Sequence, residues 1–159
     1  QTADEGAFLH HSLLILKAEE QIGRDVLAQE GGEVQAKNKV ILATVKGDIH
    51  DIGKNIVKVL LENYSFDVID LGKDVPPEVI VDTAVEQDIR LVGLSALMTT
   101  TVVSMEETIK LLRERKPECK VMVGGAVLNQ DYADMIGADF YGKDAMQSVY
   151  YAQRVFGEE

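Results

Sequence analysis

The sequence predicts an α/β protein with a doubly wound parallel sheet of five strands, and two observations support this prediction. From Lys39 onward, short apolar segments rich in β-branched residues alternate with segments of helical periodicity, as in the strand–helix units that build parallel sheets. The 159 residues also suit one domain with a buried core and a short appendage. In the common strand order 2-1-3-4-5, the loops after strands 1 and 3 face each other across one crevice.

Residues 1 to about 35 differ in pattern from the rest of the chain. Apolar residues recur at helical spacing within Phe8–Gln29, and Glu30–Glu33 ends this segment. One amphipathic helix cannot bury its own apolar stripe, so it packs on the following domain, pairs with another chain, or is the last helix of a bundle. We favour a truncated helical bundle because the sequence begins without Met. The predicted division is therefore a bundle remnant at 1–35 and a domain at 36–159.

The domain begins with two predicted strand–helix units. Lys39–Val45 is a β-branched apolar segment with the length of a buried strand, and Ile56–Leu61 after it has helical spacing. Phe66–Leu71 predicts a second, short strand. Pro76 and Pro77 then open a helix that runs to about residue 87, because proline suits the first helical turn.

Three further units complete the predicted sheet. Leu91–Leu97 predicts the third strand, and the helix after it, at about 102–115, ends before Pro117. Lys120–Gly124 predicts the fourth strand. The remaining predicted elements are a helix at about 129–136, a strand at 139–141 and a closing helix at 144–156, with Asp144 as its N-cap.

The composition of the chain argues against nucleic-acid-binding, membrane-spanning and secreted proteins. The formal net charge of −11 argues against a nucleic-acid surface, because phosphate binding needs clustered Lys and Arg. No apolar segment reaches the length of about 18 residues that a membrane span needs, and no secretory signal is visible. The single cysteine, Cys119, excludes an intrachain disulfide and fits a reducing compartment. We therefore expect a cytoplasmic globular protein.

The loop after the first strand carries the candidate chemistry. The segment Gly47–Asn55, with the sequence GDIHDIGKN, forms a strand-to-helix turn at the sheet edge where ligands bind. A single histidine in such a turn is by itself more often a capping or surface residue than a ligand. Asp48 can nevertheless hold one imidazole nitrogen of His50, which leaves the other nitrogen as a base or a metal ligand. Asp51 is either the N-cap of the next helix or a site residue.

Other ligand classes lack their sequence signals. The loop contains neither the G-x-G-x-x-G of dinucleotide sites nor the G-x-x-x-x-G-K-[ST] of P-loops, and its aspartates would repel a flavin phosphate. A receiver domain would carry an aspartate at the end of strand 3, where this chain has Leu94-Ser95-Ala96. Neither a zinc-ligand spacing nor a nucleophile elbow is recognisable.

Three short elements of the sequence fall in the predicted loops of one crevice. They are Asp48-x-His50-x-x-Gly53, Ser95-x-Leu97 and Gly124-Gly125. Together they resemble the signature of cobalamin-binding domains with the flavodoxin-like, or Rossmann-like, fold, and the resemblance covers about residues 36–156. The first element is similar to the methyltransferase type, found in corrinoid methyl-carrier proteins and in the cobalamin module of methionine synthase.

The resemblance implies a role for the first loop around the cobalt ion. His50 would replace the nucleotide base of the cofactor as the lower axial ligand to cobalt. Asp48 would bond the far side of that imidazole, and Thr101 would complete a relay to Asp48. Gly53 would let the loop pass close under the corrin ring.

The resemblance assigns the other loops to the displaced nucleotide. Ser95 would bond the dimethylbenzimidazole, Leu97 would line its slot, and Gly124 and Gly125 would leave room for the tail. Thr99 is either a site residue or part of the start of a helix. No catalytic residue is assigned. The candidate cofactor-binding residues are Asp48, His50, Asp51, Ile52, Gly53, Ser95, Leu97, Thr99, Thr101, Gly124, Gly125 and Ala126.

The function implied by the resemblance is that of a methyl carrier. The protein would hold methylcobalamin or a related corrinoid with the nucleotide base off cobalt, and would not be catalytic alone. Its partners would be a corrinoid-specific methyltransferase and an acceptor methyltransferase. A methionine synthase module is the alternative, although the Thr-rich segment 98–101 and the compact C-terminus favour a free-standing carrier. A cobalamin-dependent sensor and a cofactor-free interaction domain also remain open.

Overall fold

The computed structural model describes residues 38–157. The predicted helix within Phe8–Gln29 and the whole predicted bundle remnant at 1–35 therefore lie outside the described residues, and the domain division stays a prediction. In the described range, five strands alternate with five helices. The strands are β1 (Lys39–Val45), β2 (Asp67–Val75), β3 (Leu91–Ser95), β4 (Lys120–Gly124) and β5 (Phe140–Tyr141). The helices are α1 (Ile52–Asn63), α2 (Pro77–Glu86), α3 (Thr99–Arg115), α4 (Gln130–Met135) and α5 (Ala145–Gly157).

The strands form one parallel sheet in the order β2-β1-β3-β4-β5, which confirms the predicted fold class and strand order. Thr44 of β1 pairs with Ser95 of β3, and Ser95 pairs with Gly124 of β4. The loops after these three strands therefore leave the same edge of the sheet at the same level. The point where the strand order reverses lies between β1 and β3, where open α/β sheets bind ligands.

Both faces of the sheet are buried, because side chains alternate along each strand. On β1, Ile41 and Ala43 face one core, which α2 and α3 cover. Val40 and Leu42 face the other core, which α1 and α5 cover. Among the helices of residues 38–157, none combines the length and the hydropathy that crossing a bilayer requires.

β2 is longer than the sequence predicted. The predicted strand ends at Leu71, whereas the observed strand continues through Gly72, Lys73 and Asp74 to Val75. These three residue types carry little strand propensity, so the extension depends on pairing with β1. Two shifts in the β1–β2 register accommodate the extra residues on β2, which is the geometry of β-bulges.

The segment between β3 and α3 lies earlier in the chain than predicted, because β3 ends earlier and α3 begins earlier. β3 ends at Ser95 because the N–H of Leu97 leaves the ladder and donates to Asp48 Oδ2 at 2.7 Å. α3 begins at Thr99, with Met98 in extended conformation as its N-cap. The run of β-branched threonines at 99–101 has low helix propensity, which explains why the sequence predicted a later start.

Gly125 joins the β4 loop to the β3 loop by direct backbone packing. Its φ is +140°, a conformation that L side chains rarely adopt, and a Cβ atom there would overlap the carbonyl oxygen of Ala96. The N–H of Ala96 in turn donates to the Gly124 carbonyl at 3.2 Å. A Cβ atom on Gly124 would make only an ordinary contact, 3.7 Å from the Gly142 carbonyl oxygen.

We expect Gly125→Ala to destabilise the domain by about 2 kcal/mol or more, because strain at φ and overlap with Ala96 add together. Gly124→Ala is the matched control and should change the free energy of unfolding by less than about 1 kcal/mol. Urea denaturation of both variants measures the difference. Equal losses for the two substitutions would show that the backbone contact with Ala96 is not the reason for glycine at 125.

Candidate functional site

A crevice of about 700 Å³ opens at the carboxyl edge of the sheet. Most of the predicted site residues line it, in the loops after β1, β3 and β4. Thr99 is absent from its lining and lies exposed in the first turn of α3. Asp48 and Thr101 are buried behind the residues that line the crevice. The predicted residues that line the crevice are His50, Asp51, Ile52, Gly53, Ser95, Leu97, Gly124, Gly125 and Ala126.

The carboxylate of Asp48 is completely buried and accepts four hydrogen bonds. Oδ1 accepts from the backbone N–H of His50 at 3.0 Å and pairs with the imidazole Nδ1 at 2.8 Å. Oδ2 accepts from the N–H of Leu97 and from the hydroxyl of Thr101, both at 2.7 Å. The hydrogen bonds that the resemblance implied among Asp48, His50 and Thr101 are thus present. The bond from Leu97 was not predicted.

Asp48 is ionised in this setting. Burial alone would raise the pKa of its carboxyl group, but the hydrogen bonds from Thr101, Leu97 and His50 outweigh burial and hold the pKa well below its usual range. An ionised carboxylate only accepts hydrogen bonds, so Nδ1 of His50 carries the proton. The hydroxyl of Thr101 has one proton and two acceptors in reach, because the Met98 carbonyl lies 2.9 Å away. Because Asp48 is negatively charged, the hydroxyl of Thr101 donates its hydrogen bond to Asp48.

His50 is the titratable side chain that this network presents to the crevice. Its side chain is 46% exposed, while that of Asp48 is fully buried. Since Nδ1–H donates to Asp48, Nε2 is unprotonated in the neutral ring and is free to bind a metal ion or a proton. A carboxylate on the far nitrogen is the arrangement that orients metal-ligating histidines in proteins. The geometry therefore supports a ligand role for His50.

The loop that carries His50 begins with a tight turn and ends in α1. The N–H of Asp48 donates to the Val45 carbonyl at 3.0 Å, and Gly47 has a φ of +87°, as turns with glycine at the third position require. Asp51 occupies the N-cap position of α1, but its side chain makes no capping hydrogen bond. The side chain of Asp51 is therefore not committed to the helix and stays beside the crevice.

The rim of the crevice is apolar and open. The exposed fractions are 64% for Ile49, 61% for Ile52 and 42% for Leu97, which is unusual for large apolar side chains grouped around one site. A Cβ atom on Gly53 would have no neighbour within 4 Å, so this glycine leaves open space over the first turn of α1. Ser95 lies deeper, where its hydroxyl shares a hydrogen bond of 2.9 Å with Thr44 Oγ1.

Sequence reasoning missed the floor of the crevice. Leu42, Gly93 and Met122 lie side by side on β1, β3 and β4 and line its deep end. A Cβ atom on Gly93 would lie 2.5 Å from Leu42 Cδ2 and 3.0 Å from Met122 Cε, so the side chains of the neighbouring strands close over this glycine. A glycine inside a strand is a recognised sign of close approach and could have revealed this packing.

The β5–α5 loop forms the fourth side of the crevice and was also not predicted. Gly142, Asp144 and Ser148 line this side. Asp144 Oδ1 accepts from the N–H of Gln147 at 2.9 Å, which confirms the predicted N-cap. The observed β5 is only two residues long, one fewer than the predicted strand at 139–141, and so short a strand does not mark its following loop as part of a site.

The model of the B12 binding domain family matches residues 38–150 of this chain. A dimethylamine corrinoid protein 1 of Methanosarcina mazei is 43% identical over 127 residues, which are 79% of this chain and 59% of that protein. The chain thus spans less than two thirds of the length of this relative.

Two solved structures are also similar. A cobalamin-binding protein from Desulfitobacterium hafniense DCB-2 superimposes with a TM-score of 0.73 at 29% identity, covering 97% of this chain and 93% of that one. The methanol:cobalamin methyltransferase complex MtaBC from Methanosarcina barkeri matches with a TM-score of 0.76 at 31% identity, covering 83% of this chain and 51% of that one.

The buried carboxylate of Asp48 predicts a specific pH dependence of stability. Because its pKa is lowered in the folded state, Asp48 stabilises the fold above the ordinary aspartate pKa of about 3.9, and this contribution is lost as the pH falls further. We expect Asp48→Asn to be less stable by about 2 kcal/mol at pH 7. The difference from the parent should shrink between about pH 4 and pH 2.

Urea titrations of the parent and of Asp48→Asn at several pH values measure this difference. Asp67→Asn, which removes an exposed carboxylate at the start of β2, is the control for loss of one charge. A deficit of Asp48→Asn that stays constant from pH 7 to pH 2 would contradict the buried, ionised carboxylate.

Proposed function

Because this chain belongs to the B12-binding domain family, whose model matches residues 38–150, we propose that it is a corrinoid protein that carries a methyl group between methyltransferase partners. The corrinoid binds in the crevice with its nucleotide base off cobalt and with His50 as the lower ligand. The family assignment agrees with the resemblance seen in the sequence. The single observation that carries the proposed ligand role is the imidazole of His50, held at Nδ1 by buried Asp48 and left free at Nε2.

The residues of the crevice fit a corrinoid. A flat macrocycle needs open space beside the ligating imidazole, and Gly53 leaves such space. Its apolar faces suit the exposed side chains of Ile49, Ile52 and Leu97. A displaced nucleotide tail needs a long slot, and the crevice continues from the loops to Leu42, Gly93 and Met122 on the strands.

A bound corrinoid supplies the cobalt centre that takes up and releases the methyl group. Residues of the chain itself set the tautomer and the orientation of the His50 imidazole. Asp48 fixes the tautomer of His50 and turns Nε2 toward the crevice, and Thr101 holds Asp48 from the opposite side. Nε2 of His50 would hold the cobalt, and it is also the nitrogen that carries no proton in the neutral ring. Metal ligation and protonation would therefore compete for the same atom.

The partners follow from the carrier role. A methyl group must arrive from one protein and leave to another, so we propose a corrinoid-specific methyltransferase and an acceptor methyltransferase. The relative from M. mazei is named as a dimethylamine corrinoid protein, and the MtaBC structure is a complex of a methanol:cobalamin methyltransferase. Both names support a free-standing carrier over a module of methionine synthase.

We expect the full chain to retain colour after reconstitution with hydroxocobalamin, because His50 ligates cobalt through Nε2. After reduction to cobalt(II), the electron paramagnetic resonance spectrum should change its superhyperfine pattern when histidine is labelled with nitrogen-15. The chain has three histidines, His10, His11 and His50. His50→Ala should abolish the effect of the label, and His11→Ala should keep it.

Two results would overturn parts of this proposal. A label-dependent pattern in His50→Ala would remove His50 from the ligand role. A full chain that remains folded and colourless with any corrinoid would favour the cofactor-free interaction domain, and a coloured chain that methylates no acceptor with any methyltransferase partner would favour the sensor.

Gly53 provides a test that separates binding from folding. Gly53→Ala should stabilise the apoprotein by about 0.5–1 kcal/mol, because alanine is the better helix former and no neighbour lies within 4 Å. The same methyl group should weaken hydroxocobalamin binding about tenfold or more, since it fills the space under the ring. Gly157→Ala, also at an open position in a helix, is the control and should leave binding unchanged. Unchanged affinity in Gly53→Ala would place the ring elsewhere.

A further inference from the structure

We propose that Asp74 is a positioning residue for His50, acting through the backbone of the turn that carries Asp48; this inference rests on the proposed ligand role of His50. Asp74 lies on the extension of β2 that the sequence did not predict. Its carboxylate Oδ1 accepts from the N–H of Gly47 at 2.7 Å, and its own N–H donates to the Asp48 carbonyl at 2.9 Å. The two bonds thus hold both ends of the Gly47-Asp48 dipeptide, the N–H of Gly47 and the carbonyl of Asp48.

The bulged backbone of β2 aims Asp74 at this turn. The register shifts between β1 and β2 place extra residues on β2. Gly72 has a φ of +95° and Asp74 a φ of +55°. A left-handed conformation is tolerated by aspartate, but at a modest cost in free energy. An exposed residue that keeps this conformation and directs both of its bonds at the turn is suited to holding the turn.

The same segment also holds the far end of the His50 loop. Asp70 Oδ1 pairs with Lys54 Nζ at 2.6 Å and accepts from the N–H of Gly72 at 2.9 Å. Lys54 belongs to the first turn of α1, and its side chain is only 3% exposed. The loop between Gly47 and Lys54 is therefore attached to β2 at both ends.

This attachment matters because the four hydrogen bonds to Asp48 have fixed directions. Asp48 Oδ2 is held by Leu97 and Thr101, which belong to the β3 side of the crevice. Oδ1 meets the imidazole only if the backbone of Asp48 stays at the correct distance from that side. Asp74 sets this distance from the β2 side, so its loss lets Nδ1 of His50 separate from Oδ1 without unfolding the domain.

The test reads the tautomer of His50 in the apoprotein of the full chain. Nitrogen-15 NMR of histidine-labelled protein at about pH 8, where histidines are ordinarily neutral, measures the ratio of the Nδ1–H to the Nε2–H form. Asp74→Gly removes the carboxylate and adds no strain at positive φ. We expect the ratio to fall about fivefold, as for the loss of one hydrogen bond.

Two variants exclude a general effect on stability. Asp74→Asn keeps an oxygen that can accept from Gly47 and favours the same backbone conformation, so the parent ratio should return. Asp88→Gly removes another aspartate of positive φ, +52°, which pairs with Lys116 at 2.6 Å, and should lower stability with no effect on His50. A parent-like ratio in Asp74→Gly, or an equal fall in Asp88→Gly, would overturn the proposal.

The loaded protein supplies a second readout. With hydroxocobalamin bound, Asp74→Gly should show a smaller fraction of His50-ligated cobalt(II) by electron paramagnetic resonance than the parent and Asp74→Asn. If the parent binds no corrinoid, the proposed function fails while the tautomer result still decides the role of Asp74. If the parent binds through His50 but Asp74→Gly matches it in both readouts, the positioning role fails alone.

Discussion

The buried charge of Asp48 is the interaction on which the rest of the site depends. A carboxylate removed from water is strongly destabilising unless donors replace its hydration, and here four donors do so. Two of them come from His50 and two from the segment that follows β3. The loops after β1 and β3 therefore share the stabilisation of this charge.

The sheet topology brings these loops together. β1 and β3 are neighbours although β2 lies between them in sequence, so their carboxyl ends diverge into helices on opposite faces and leave a crevice. α1 begins on one side of it and α3 on the other. The crevice reaches Leu42, Gly93 and Met122 on the face covered by α1 and α5. The fold thus provides a site for chemistry at the sheet edge and an extension of the same crevice onto the strands.

The sequence predicted the strand order and the crevice loops after β1, β3 and β4, because periodicity and β-branched content report buried strands. It could not predict the N–H of Leu97 as a donor to Asp48, since a backbone donor is independent of residue type. The extension of β2 through Asp74 was missed for a related reason: a bulge is stabilised by pairing with β1 and has no periodic signal. Thr101 was reached only by resemblance, because spacing alone does not show which threonine of three points inward.

The hydroxyl of Thr101 lies between two acceptors, Asp48 Oδ2 and the Met98 carbonyl oxygen. While Asp48 is charged, the hydroxyl proton lies toward Oδ2 at 2.7 Å. If Asp48 gains a proton, the carboxyl group becomes a donor, and the hydroxyl of Thr101 can turn to the Met98 carbonyl at 2.9 Å. The network can therefore lose its negative charge at low pH by reversing a single hydrogen bond. Met98 is the N-cap of α3, so the second hydrogen bond of Thr101 attaches the network to the start of that helix.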